Sequence, residues 1–227
     1  VVAGVLLVFI PLMGEYVTPT VLGGAKGLMV GNLVASQFLE AQNVPLGSAM
    51  AVVLGETYPE LFAGVGAHSG LPYASAHDIP SALAAMKGGR SGLPGLKSGP
   101  GAAGAPRGKA VQAVPVIVFH GDRDHTVQQT NGARIVQQAQ EAHGAQAGNS
   151  DLRISTQSGV SAAGRRFSRA VHADTQGQAR VESWTLHGAG HAWSGGHASG
   201  SYTDHAGPDA SAEMVRFFMS LPRGRSA

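Results

Sequence analysis

The 227-residue chain contains no cysteine. That excludes disulfides, zinc–thiolate sites and a thiol nucleophile, and leaves the compartment open. Charge is also scarce: Asp, Glu, Lys and Arg make up 13% of the residues and the net charge is +2. The Lys and Arg are scattered rather than set in a basic stripe interleaved with aromatics, so no nucleic-acid surface is expected. No complete membrane span is present. The longest apolar stretch, Val1–Met13, would cover only about 20 Å as a helix, against a hydrocarbon core of about 30 Å. It suits a buried helix or strand, or the cut end of a span. No basic leader precedes it, and a start at Val1 is what a fragment or processed product would show. One further absence matters most: no serine in the chain has glycine at both the −2 and +2 positions, so the Gly-x-Ser-x-Gly nucleophile elbow is missing.

What the chain has in abundance is glycine and proline, 33 and 12 residues, so loops should be plentiful. Its length allows one domain, or one domain with a remnant of another. A short apolar helix begins near Leu46 and ends at Glu56–Phe62, and Ala63–Ala67 reads as a buried strand. Pro80–Lys87 suits a short helix with proline near its start. Val114-Pro-Val-Ile-Val-Phe119 is a β-branched run of the kind found in a strand covered on both faces. Gln128–His143 reads as a polar-faced helix, Arg180–Leu186 as a strand, and Asp209–Leu221 as an amphipathic helix with its cap at Asp209 or Ser211. Residues 88–113 and 144–178 show no usable periodicity and are expected to be flexible loops. Strands alternating with helices predict an α/β sheet.

Two segments carry chemistry: His120-Gly-Asp-Arg-Asp124-His-Thr-Val127 and Gly188-Ala-Gly-His191-Ala-Trp-Ser-Gly-Gly196. Each follows an expected strand, where α/β sheets place functional loops. Asp124 and His191 are therefore candidates for the acid and base of a Ser–His–Asp triad, in the chain order of α/β-hydrolases. Asp122 is a rival acid, and His125 reads as an exposed loop residue. Ser161 in Gly159-Val-Ser-Ala-Ala-Gly164 lies between acid and base and follows no expected strand, so it reads as structural. A metal site built from His187, His191, His197, His205, Asp204 and Asp209 is disfavoured. These residues lack helical i, i+4 pairing, and a ligating His191 could not serve as base.

From about Ala49 to Phe218 the chain resembles the secreted polyhydroxybutyrate depolymerase and feruloyl esterase family of α/β-hydrolases. The resemblance rests on Leu54-Gly-Glu-Thr-Tyr-Pro-Glu-Leu-Phe-Ala63, Gly66-Ala-His-Ser-Gly70, Val116–Val127, Asn131-Gly132, His187–Gly196 and Gly200-Ser-Tyr-Thr-Asp204 through Gly207–Ser211. It implies the C-terminal part of a hydrolase sheet, an ester substrate (polyester, aryl or short acyl), no cofactor, no metal and an extracellular setting. It also implies Asp124 as triad acid and His191 as base. Trp193 and Tyr202 would line the substrate pocket or pack the histidine loop. Ser69 matches a strand-end position that is not the family's nucleophile.

The departure lies at the elbow. Aligning Ala49-Met50 with the family puts Pro45 at the nucleophile position and Ser48 three residues later, inside the helix. Nor does Val1–Pro45 supply a His-Gly oxyanion loop. Instead Val5–Pro19, Leu22-Gly-Gly, Met29-Val-Gly-Asn32, Gln37-Phe38 and Asn43–Ala49 resemble the inner-membrane permease of polyamine-type ABC importers. The two resemblances meet at Gly47–Leu54. Residues 1–48 are thus expected to be a permease-like apolar, helical segment and 49–221 a partial esterase domain. Little or no esterase activity is the expectation.

Overall fold

The computed structural model describes residues 44–59, 62–76, 79–88, 113–146 and 152–222. The elements are α1 (Val44–Thr57), β1 (Val65–His68), α2 (Ile79–Met86), β2 (Val116–Gly121), α3 (Gln129–Gln146), β3 (Arg153–Val160), β4 (Arg166–Ala173), β5 (Ala179–Leu186), β6 (Trp193–Ser194), β7 (Thr203–Asp204) and α4 (Ala210–Ser220). Strands β1 to β5 form one sheet in the order β1-β2-β5-β4-β3, and β6 pairs with β7. The β1–β2 and β2–β5 pairings are parallel, while β4 and β3 add antiparallel to one edge. The architecture is α/β, with a mixed rather than wholly parallel sheet.

The sheet sorts its side chains by the two-residue period of a strand. Val116 and Val118 of β2 join Val65, Ala67 and Val181 in a cluster completed by Val52 of α1 and Ile135 and Ala139 of α3. The intervening Ile117 and Phe119, both fully buried, join Trp184, Leu186 and, from α4, Ala210 and Phe217. Every residue of β2 is buried, which is why its sequence is apolar without alternation. Burial of a side chain the size of Ile117 or Phe119 is worth about 1.5–3 kcal/mol. Helix α4 starts where the Asp209 carboxylate accepts the Ala212 N–H at 3.0 Å, an N-cap that satisfies one of the orphan amides of the first turn. Asn131 at the start of α3 donates to the carbonyls of Ala85 and Met86, so α2 and α3 are tied end to end.

Within the expected loop at 144–178, residues 153–160 and 166–173 are sheet instead. Strands β3 and β4 form an eight-pair hairpin there. Strand β3 is exposed along nearly its whole length, so neither face needs apolar residues, and the alternation that would announce a strand is absent. Residues 89–112, most of the other expected loop, and the apolar segment before Val44 lie outside the described residues. The expected boundary at residue 48 falls inside α1, which runs unbroken from Val44 to Thr57. Among the described residues no helix is long and apolar enough to cross a membrane.

Candidate active site

Three parallel strands, β1, β2 and β5, bring their carboxyl ends side by side, and the loops leaving them meet there. The Asp122 N–H donates to the Leu186 carbonyl at 3.1 Å and the Arg123 N–H to the Ala189 carbonyl at 3.0 Å. These bonds zip the loop after β2 to the loop after β5. Gly121 permits the approach: a Cβ there would stand 2.4 Å from the Ala189 carbonyl oxygen. Gly121→Ala is therefore expected to destabilise the fold by roughly 2 kcal/mol or more, because backbone rather than a flexible side chain must yield. Urea denaturation measures this; an unchanged midpoint would contradict the account.

The Asp124 side chain is completely buried where the two loops join. Its Oδ1 accepts the N–H groups of Thr126 and Val127, each at 2.9 Å, in a tight Asx turn. Its Oδ2 faces His191 Nδ1 at 2.7 Å. Burial pushes the Asp124 carboxyl pKa up. The hydrogen bond from His191, the Val127 N–H, the charge of His191 and the nearby Ser69 hydroxyl outweigh it and hold the group below its usual range. With Asp124 ionised, the His191 proton sits on Nδ1 and Nε2 carries the lone pair. No described residue hydrogen-bonds to Nε2, and the His191 side chain is 18% exposed. This is the geometry of an imidazole oriented to accept a proton.

Two further histidines surround the pair. His120 Nε2–H donates to the Val127 carbonyl at 2.8 Å and lies 3.7 Å from Asp124 Oδ2. Burial lowers its pKa, so it stays neutral. The ring rests on Gly132, where a Cβ would come within 2.6 Å of His120 Nδ1. His68, at the end of β1, accepts the Ser194 N–H on Nε2 at 3.0 Å. Its ring stacks on both Phe119 and Trp193, with centroids 5.8 and 4.9 Å away. Burial, reinforced by His120 and His191, lowers its pKa to about 3 against the pull of Asp124. His68 is thus a neutral clamp between β1 and the His191 loop. The sequence reading missed this role; its one signal is a histidine closing a buried strand.

Of the expected pocket residues, Trp193 packs on His68 and donates through Nε1 to Ser211 Oγ at 3.2 Å. Tyr202 is 61% exposed, has a left-handed backbone at φ 57° and is joined to the loop through its carbonyl, which accepts the Trp193 N–H. Ser69 is buried at the end of β1, also left-handed at φ 52°. Its hydroxyl makes no hydrogen bond of good geometry, yet it lies close enough to Asp124 to favour the carboxylate. Ser161 bonds to the Ala206 carbonyl and accepts the Arg165 N–H, both structural contacts. Asp122 pairs with His187 instead of His191. Pro45 and Ser48 are the second and fifth residues of α1. His125 is exposed, and no group of three or more His, Asp or Glu suited to a metal ion occurs among the described residues.

Comparison with known proteins finds two resemblances, which overlap over residues 25–54. The N-terminal 54 residues are 48% identical to the spermidine/putrescine transport system permease protein PotB of Haemophilus influenzae, a match covering 24% of this chain and 19% of that protein. A poly(3-hydroxyalkanoate) depolymerase C from Paucimonas lemoignei is 29% identical over 168 residues, which is 72% of this chain and 38% of that protein. The chain therefore spans well under half the length of these relatives. Two solved structures align at a TM-score of 0.46: a PHB depolymerase complexed with an R3HB trimer, at 18% identity over 76% of this chain and 48% of that one, and an acetyl xylan esterase from Aspergillus awamori, at 13% identity over 85% and 66%. The family model for esterase PHB depolymerases matches residues 25–156, more than half of the sequence and inclusive of the Asp124 loop, and by that match the chain belongs to the esterase PHB depolymerase family.

Proposed function

We propose that this chain carries the acid–base half of a serine carboxylic-ester hydrolase of the depolymerase and feruloyl esterase type, and that by itself it turns esters over slowly or not at all. The observation that carries the reading is the 2.7 Å contact between a fully buried Asp124 and His191 Nδ1, with Nε2 left without a hydrogen-bond partner among the described residues. In a complete hydrolase such a base removes the proton from an attacking serine as it forms an acyl-enzyme, and later returns a proton to the leaving group. Here the aligned nucleophile position holds Pro45, which has no group to attack with. Polyester, aryl or short acyl esters are the substrate class, and Trp193 and Tyr202 are the residues this reading assigns to the border of the substrate pocket. The esterase part belongs to a secreted type of protein.

Catalysed turnover of p-nitrophenyl butyrate or of polyhydroxybutyrate granules through His191 is therefore expected to stay at the buffer rate. Turnover abolished by His191→Ala, or fluorophosphonate labelling of Ser48, would overturn this. Binding of a ferulate or hydroxybutyrate ester without turnover would favour a non-catalytic ester-binding role for the same residues. The permease match favours a second reading for the first part of the chain alone: a segment of membrane-transport origin joined to the esterase near Gly47–Leu54. Sequencing of the gene from an independent isolate across residues 40–55 tests the joint, since a continuous elbow there would remove it.

A further inference from the structure

A Ser–His–Asp chain lies outside the Asp124–His191 pair. Ser168 is the third residue of β4 and Thr185 stands opposite it on β5. His187 is the first residue beyond β5, and its N–H donates to the Arg166 carbonyl, prolonging the β4–β5 ladder by one bond. This register turns the His187 ring onto the same sheet face as Ser168, with Ser168 Oγ 2.8 Å from His187 Nε2. On the far side of the ring, His187 Nδ1 lies 3.0 Å from Asp122 Oδ2. The Gly188 N–H binds the other Asp122 oxygen at 2.6 Å. We propose that Ser168, His187 and Asp122 form a nucleophilic site separate from the Asp124–His191 pair, in which Ser168 accepts the acyl group of small activated aryl esters.

The proton positions follow from the donors. Burial alone would raise the Asp122 pKa, but His187, the Gly188 N–H and the charge of Arg123 bring it below its ordinary value. The ionised carboxylate accepts His187 Nδ1–H, so Nε2 is the acceptor and the Ser168 hydroxyl donates to it. In the reaction the Ser168 Oγ bonds to the ester carbonyl carbon while its proton passes to His187 Nε2. The carbon–oxygen bond to the aryl group breaks, and the aryloxide leaves with that proton. Water then adds to the acyl-serine, giving a proton to His187. The serine oxygen departs and takes that proton back, and a carboxylic acid is released.

Two features set the substrate class and the speed. The His187 and Asp122 side chains are 35% and 31% exposed, so the site is open and suits short acyl groups on good leaving groups. Ser168 lies on a strand hydrogen-bonded on both sides, which commits its backbone amide to the ladder. The Ser158 hydroxyl, 3.4 Å from Ser168 Oγ, is the neighbouring donor. A site without an amide oxyanion hole lacks a component worth about 10²–10³ in rate, so slow acylation and slow release are expected.

The test is incubation of the full chain with diisopropyl fluorophosphate and, separately, p-nitrophenyl acetate, followed by intact mass and peptide mapping. One adduct is expected, on Ser168. His187→Ala should slow its formation about 10-fold or more, Asp122→Asn several-fold, and the exposed His205→Ala not at all. Ser168→Ala, with far-ultraviolet circular dichroism confirming the fold, should abolish it. No adduct, an adduct confined to other serines, or Ser168 labelling indifferent to His187 would each overturn the proposal. Turnover requiring His191 would instead contradict the proposed function and leave this site untouched.

Discussion

Acidification from pH 7 to pH 4 is expected to destabilise the protein by roughly 6 kcal/mol through two buried histidines alone. Burial first, then His120 and His191, holds His68 down to about 3. Burial likewise holds His143 down to about 4, although its Nε2–H donates to the Val114 carbonyl at 3.2 Å. In the unfolded chain both return to about 6.5. Below that pH the unfolded state takes up protons that the folded state refuses. The stability these histidines provide is whole above about pH 6.5 and is lost as pH falls towards 4 and 3. At about 1.4 kcal/mol per pH unit, each contributes roughly 3 kcal/mol by pH 4, a large share of a typical 5–15 kcal/mol. Urea denaturation at stepped pH reads this directly. His68→Asn or His143→Gln should flatten the slope, and a stability constant between pH 6.5 and 4 would refute the account.

Glu182→Ala should cost about 3–5 kcal/mol. The carboxylate is completely buried in β5. It accepts two bonds from Arg169, each 2.9 Å, the Trp184 indole N–H at 2.8 Å, and a further bond from Arg216. The Arg169 guanidinium also lies 5.4 Å from the Trp184 ring centroid. Truncation leaves the indole N–H without its acceptor and Arg169 without its counter-charge. The Arg169 and Arg216 side chains are 24% and 41% exposed, so water relieves part of the loss and the lower end of the range applies. For a domain of this size that is a fall of roughly 10 °C in Tm. Glu182→Gln, which keeps the acceptor for Trp184, should lose less. Equal losses from the two variants would show that the charge, not the indole bond, carries the effect.

The parts of the fold legible in the sequence were those with both a pattern and a covering layer. Val114–Phe119 announced a central strand because both of its faces are buried. The start of the last helix was narrowed to Asp209 or Ser211 because capping is a local event, and Asp209 is the cap. Strand β3 was illegible, since an edge strand exposed on both faces leaves no alternation to read. At the candidate site, Asp124 and His191 were singled out by their positions just beyond expected strands together with the family resemblance. The contacts around them were not: His68 to Ser194, and Ser168 to His187 beside the site, depend on which strands are neighbours. The pairing of β5 with β2 and β4 is visible only in the folded sheet. The same limit hid the Asp122–His187 contact, because spacing along the chain cannot say which of two nearby carboxylates faces which of two nearby histidines.

The bond from the Ser194 N–H to His68 joins residues 126 positions apart, and this has a consequence for the order of folding. Closing so long a span carries a large entropic cost before any contact repays it. The β3–β4 hairpin, whose partners are close in sequence, can form early. The His191 loop can lock only after β1, β2 and β5 have found their register. During synthesis, Asp124 and His191 would remain apart until the segment carrying β5 and the His191 loop had left the ribosome, making their meeting a late report that β1, β2 and β5 have paired.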